Sequence, residues 1–78
     1  MKLLVRNLDR TLDEDTLRKL FEAYGRIQSC TIVMDPKSGV SKGFGFVEMP
    51  APGEAKAAMK QLNGTMVSDL KIRVKKAE

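Results

Sequence analysis

The stretch Lys42-Gly43-Phe44-Gly45-Phe46-Val47-Glu48-Met49 constrains the fold more than any other part of this chain. Side chains alternate across a strand. Lys42, Phe44, Phe46 and Glu48 therefore share one face, and Gly43, Gly45, Val47 and Met49 the other. A face that carries two aromatics and a charge at each end is not a sealed core, so one side of the sheet is expected to stay open. Gly43 and Gly45 weaken an ordinary strand and mark close backbone approach or tight packing. Exposed aromatic rings beside a lysine make a platform on which bases stack and a phosphate is held.

The rest of the chain supplies partners for this strand. Leu3 to Leu8 reads as a first strand, with Lys2, Leu4 and Arg6 on one face and Leu3 and Val5 on the other. Asp9 to Thr11 is a turn. A helix is expected from about Glu14 to Tyr24, with Asp13 as N-cap and Glu14 and Asp15 complementing the helix dipole. Leu17, Leu20, Phe21 and Tyr24 form its apolar stripe, and Gly25 stops it. Ile27 to Met34 is a second strand, with Cys30 and Ile32 inward. The turn chemistry of Asp35-Pro36-Lys37-Ser38-Gly39 links it as a hairpin to the central stretch. Pro50 ends that stretch, and Pro52 opens a second helix. Ala55, Ala58, Met59 and Leu62 line the inner side of this helix, Ala51 offers it no capping side chain, and Asn63-Gly64 closes it. The last strand, about Lys71 to Lys76, places Ile72 and Val74 inward and Lys71, Arg73 and Lys75 on the opposite face. The order is β-α-β-β-α-β, an α+β ferredoxin-like sandwich in which two helices cover one face of a four-stranded antiparallel sheet.

The central stretch resembles the ribonucleoprotein octamer of the RNA recognition motif family, K/R-G-F/Y-G/A-F-V-x-F/Y. Lys42 through Val47 fit it. Met49 departs where the family prefers an aromatic, but alternation turns that side chain inward, where it affects packing. A Phe-rich core strand between two glycine kinks is the competing reading, and the restrictiveness of the octamer opposes it. Leu3-Leu4-Val5-Arg6-Asn7-Leu8 is similar to the family's companion hexamer, with Leu4 where an aromatic is usual. The resemblance covers Leu3 to Ala77 and implies that strands one and three lie side by side in the centre, with Leu4, Phe44 and Phe46 as neighbours on the open face. The compact length is similar to that of small stand-alone bacterial members of the family.

Composition narrows the chemistry. Seventy-eight residues allow one domain, residues 1–78, with a small core. One cysteine and no histidine leave neither an intrachain disulfide, nor a zinc site, nor histidine-based acid–base chemistry. No cofactor and no metal is expected. No run is long enough to span a membrane and no signal-peptide pattern precedes the first strand, so the expectation is a soluble cytoplasmic protein with no membrane partner. Fourteen Lys and Arg against ten Asp and Glu give a net charge of +4. That excess is modest, but its placement is informative: Lys2, Arg6, Lys42, Lys71, Arg73 and Lys75 gather on the open face against Glu48.

The resemblance implies a single-stranded RNA-binding module, with single-stranded DNA left open as a ligand and a monomer as the expected state. It implies that Phe46 stacks on a base, that Phe44 packs on sugars or a neighbouring base, and that Lys42 meets phosphate. Arg6, Lys71, Arg73 and Lys75 follow as backbone or base-edge contacts from their face. Leu4 sits at a stacking position with no π-face to offer, and Asn7 is a structural residue at a strand end. The alternative is a protein-binding module of the same fold, which the missing hexamer aromatic favours and the two octamer phenylalanines oppose. An enzyme built like the acylphosphatases would need a glycine-rich phosphate loop after strand one. Leu8-Asp9-Arg10-Thr11-Leu12 has no glycine, and Asp9 would repel the anion.

Overall fold

The computed structural model describes residues 1–77. The elements in chain order are β1 (Lys2–Arg6), α1 (Glu14–Glu22), β2 (Ser29–Met34), β3 (Ser41–Glu48), α2 (Pro52–Leu62), β4 (Met66–Val67), β5 (Leu70–Lys71) and β6 (Arg73–Lys76). Four of them form an antiparallel sheet in the order β2-β3-β1-β6, with β3 and β1 central. The expected ferredoxin-like α+β arrangement is therefore the observed one.

The alternation in the sequence is the alternation in burial. Leu3 and Val5 of β1, Cys30 and Ile32 of β2, Val47 of β3 and Val74 of β6 are buried on one side of the sheet. Both helices complete the core there, α1 through Leu17 and Phe21 and α2 through Ala55, Ala58 and Leu62. Met49 is fully buried with them, so the octamer's departure from an aromatic is a packing substitution. Asp13 caps α1 as expected, its side chain accepting from the Thr16 N–H at 2.8 Å. Ala51 at the start of α2 makes no such bond, and Pro52 follows in the first turn.

Several boundaries differ from the sequence reading. Strand β1 ends at Arg6 rather than Leu8, where Asn7 takes φ +60°, and β3 runs from Ser41 to Glu48, one residue earlier at each end. Helix α1 ends at Glu22, because the Tyr24 N–H bonds to Phe21 and the Gly25 N–H to Glu22 in a tightened last turn. Strand β2 begins at Ser29 rather than Ile27, although the Gln28 N–H still reaches the Glu48 carbonyl at 2.7 Å. The largest change is at the C-terminal end. Lys71 does not belong to the last strand of the sheet: it pairs with Met66 in a separate two-stranded ribbon, β4–β5. Ile72 breaks the run by donating to the Thr65 carbonyl at 2.9 Å, and main-sheet pairing begins at Arg73. The ribbon turns at Ser68 and Asp69, both with positive φ (52° and 66°), as a two-residue hairpin of the twisted type requires. Without Asn-Gly or Asp-Gly at the turn, the hairpin carries little sequence signal.

Two backbone details hold the central strands in place. A Cβ on Gly45 would run into the Thr31 carbonyl oxygen of β2, so the second octamer glycine lets β3 and β2 approach closely. Gly43 has φ +82°, a conformation that other residues resist, and its carbonyl accepts from the Leu8 N–H at 2.8 Å just beyond β1.

Candidate nucleic-acid interface

The face of the sheet away from the helices is uncovered, and its register sets the side chains in rows. Phe46 pairs with Leu4 on one side and Thr31 on the other, and Leu4 pairs onward with Lys75. One row therefore runs Thr31, Phe46, Leu4, Lys75 across all four strands. The next runs Phe44, Arg6, Arg73. Leu4, Phe44 and Phe46 are half-buried, whereas Arg6, Lys42, Arg73 and Lys75 are exposed. The phenylalanine rings meet edge to face, with centroids 6.3 Å apart and planes at 86°. The structure thus brings together seven of the eight residues expected at a site. The eighth, Lys71, lies on the ribbon beside the sheet. Its carbonyl accepts from the Asn7 side-chain amide at 2.8 Å, which gives Asn7 the structural role expected of it; its φ of +60° turns the chain at the end of β1.

Two cations escaped the sequence reading of the site. Lys2, which alternation had placed on this face without a role, holds its Nζ 4.7 Å from the Phe46 ring centroid. Arg10, treated only as part of a turn, lines a cleft with Arg6, Lys42 and Phe44. Loop geometry put it there, and no periodicity in the sequence reports it.

Little neutralises the positive charge of this face. The one ion pair among the described residues joins Arg18 to Asp15 at 3.6 Å on α1, against the other side of the sheet. Asp9, near the open face, is held by its own loop. Its carboxylate accepts from the Thr11 hydroxyl at 2.7 Å and the Thr11 N–H at 2.8 Å, and these bonds hold its pKa below the usual carboxylate value. Asp35 likewise accepts from the Lys37 N–H at 2.8 Å within the hairpin. Among the described residues, no three side chains of the metal-ligating types converge on a common point. The arrangement suits a flat, polyanionic ligand: rings and an apolar side chain in the middle, cations around them.

A family model for the RNA recognition motif matches residues 3–73. The chain belongs to the RNA recognition motif family. Its hexamer begins in β1 and its octamer lies almost wholly in β3, the two central strands. This RNA recognition motif is 46% identical over 67 residues to polyadenylate-binding protein 4 of Arabidopsis thaliana, a match covering 86% of the chain and 10% of that protein. It is 41% identical over 78 residues to the meiotically up-regulated gene 28 protein of Schizosaccharomyces pombe, covering 97% of the chain and 13% of the relative. The chain therefore spans about a tenth of the length of these relatives. Among solved structures, the RNA-binding protein PG1 superposes with a TM-score of 0.96 at 35% identity, over 99% of this chain and 93% of that one. A Sex-lethal protein/RNA complex gives 0.94 at 34% identity, over 99% of this chain and 46% of that one.

Proposed function

We propose that this RNA recognition motif binds single-stranded RNA across its open sheet face. The observation that carries the reading is the row Phe46–Leu4–Lys75 beside Phe44–Arg6–Arg73: aromatic surface and cations interleaved on two adjacent lines. Phe46 stacks on one base, Phe44 packs on a sugar or the neighbouring base, and Leu4 gives a second base apolar contact alone. Lys42, Arg6, Arg73 and Lys75 take phosphates or base edges. Lys71, displaced onto the ribbon, reaches RNA only at the border of the face. Relatives named for polyadenylate binding and a neighbour solved with RNA support the same class of ligand. The domain acts as a monomer and by binding rather than catalysis, in the cytoplasm, and single-stranded DNA remains a second ligand of the same face.

The test is titration of short labelled RNA, and of the matching DNA, with the parent and with Phe46→Ala. The variant should stay folded and lose about 1–3 kcal/mol of binding, the usual worth of one base stack. Binding of the parent should weaken as salt rises, with a slope of roughly −0.7 for each phosphate contact. A folded Phe46→Ala that binds like the parent removes the platform, and leaves a peptide ligand as the use of the face.

A further inference from the structure

The cations at the edge of the aromatic face border open space beyond the sheet. A cleft of about 500 Å³ opens beside Phe44, between the turn after β1 and the β4–β5 ribbon. Its cations are Arg6, Arg10 and Lys42, and Phe44 and Leu70 are its apolar walls. Leu70 is 38% exposed, a large apolar side chain left partly open to solvent. A second hollow of about 320 Å³, towards the tip of the β2–β3 hairpin, shares Arg10, Lys42 and Phe44 with the first. The two are therefore joined through one aromatic ring and two cations. Asp9 also lines this cleft and Asp35 the second hollow; the Thr11 donors keep Asp9 ionised, so it opposes an anion, but Arg6, Arg10 and Lys42 outnumber it in the cleft. Arg10 makes no ion pair among the described residues.

We propose that this cleft is a separate nucleotide subsite, which takes one nucleotide beyond those stacked on the sheet, with Arg10 as its phosphate ligand. The inference rests on the reading of the open face as an RNA platform and extends it past the edge of the sheet. The base lies between Leu70 and the side of the Phe44 ring that faces the cleft, which leaves the ring's other side to the sugar of the sheet-bound nucleotide; these aromatic and aliphatic walls are tolerant of base identity. Its phosphate meets Arg10, whose planar guanidinium can present two N–H groups to two phosphate oxygens. Lys42, at the junction of the two hollows, reaches the phosphate between this nucleotide and the one on the sheet. The volume lies within the range of pockets that enclose a small organic ligand. Arg10 and Leu70 thus set the length of RNA that the domain reads.

The experiment is a series of labelled RNA oligonucleotides lengthened one nucleotide at a time at either end. They are titrated against the parent, Arg10→Gln, Leu70→Ser, Phe46→Ala and, as a control for net charge, Arg26→Gln. For the parent, one step of the series at one end should raise affinity by roughly tenfold, near the lower range for a stacked base. Arg10→Gln and Leu70→Ser should each reduce that step while leaving the shorter oligonucleotides bound as before. Arg10→Gln should also flatten the salt slope by about 0.7 for the longer RNA, and Leu70→Ser should leave it unchanged. Both positions are exposed, so neither change threatens the fold. The proposal is overturned if Arg10→Gln weakens every length alike, as Arg26→Gln would through the general field, or if it weakens none. A parent that binds with Phe46→Ala unchanged instead overturns the platform itself, whatever Arg10 does. A parent that binds no length overturns both.

Discussion

Lys2 holds its ammonium over the Phe46 ring, 4.7 Å from the centroid, although its partner across the strands is Glu48. The two charged residues form no ion pair, and Glu48 is instead at 3.5 Å from the Ser29 hydroxyl. An exposed cation–π contact contributes about 0.5–1 kcal/mol, much the same as an exposed ion pair. Lys2 therefore exchanges one partner for the other at little cost. A base stacking on the occupied side of Phe46 needs that exchange, and the released ammonium is then close to the RNA backbone.

Lys2→Ala should accordingly act in two opposing ways. It uncovers the ring and removes one phosphate contact, so the salt slope becomes shallower by about 0.7. At low salt the parent should bind more tightly; at high salt the variant should match or exceed it. Titrations at several salt concentrations read both effects. If the two salt dependences run parallel, Lys2 contacts no phosphate. A variant weaker at every concentration would show that Lys2 does not compete with the base.

Gly45 is where the octamer serves the fold rather than the ligand. A methyl group there meets the Thr31 carbonyl oxygen, a backbone atom that cannot move without shifting β2. Overpacking of this kind costs about 1–3 kcal/mol. Gly45→Ala should lower Tm by about 4–8 °C for each kcal/mol lost. A thermal melt that coincides with the parent's would mean that the two strands separate freely at this point.

Much of this architecture was legible because each regular element satisfies one simple period. The alternation of Leu3, Val5, Ile32, Val47 and Val74 against their polar neighbours fixed the buried side of the sheet, and the stripe Leu17–Phe21 the inner side of α1. The candidate face was legible for the same reason: Leu4, Phe44, Phe46, Arg6, Arg73 and Lys75 occupy the other phase of those strands. What escaped is non-periodic. Lys71 alternates correctly with Ile72 and Arg73, yet Ile72 bonds to Thr65 and moves the preceding residues into a ribbon. Arg10 reaches the interface because a turn folds back beside Phe44, and the contact of Lys2 with Phe46 depends on which strands are neighbours.

Cys30 should be chemically quiet. Its thiol is buried beneath α1, with the sulfur 3.7 Å from the Glu14 carbonyl oxygen. Burial pushes its pKa up from the ordinary 9.0 to about 11; the nearby Glu14 charge adds to the rise and Arg18 opposes it. At neutral pH almost none of it is thiolate, the reactive form. A chromogenic disulfide reagent should modify the native protein far more slowly than the denatured chain. The linkage has a definite sign. The folded thiol keeps its proton where the unfolded one has lost it, so this group's contribution is intact below pH 9.0 and lost as pH rises towards 11. Fast labelling of the native protein at neutral pH contradicts the buried placement.

Leu4 is the position at which binding can be improved. It sits between Phe46 and Lys75 in the row that crosses the sheet, half-buried, with Leu3 and Val5 on either side pointing into the core. An aliphatic side chain there covers a base by apolar contact but offers no π-face. Leu4→Tyr supplies a ring whose hydroxyl can remain in water, and it disturbs no core residue because the side chain already faces outward. Stacking tolerates any base, so affinity should rise for many RNA sequences, by up to about 1 kcal/mol. Leu4→Ala should lose less than Phe46→Ala, since only apolar contact is removed. If the face instead receives a peptide, Leu4 is an anchor and the tyrosine does nothing for RNA. Titrating the parent and Leu4→Tyr with one labelled RNA, after melts have shown equal stability, separates the two. A folded Leu4→Tyr that binds no better than the parent places the stacked bases elsewhere on the sheet.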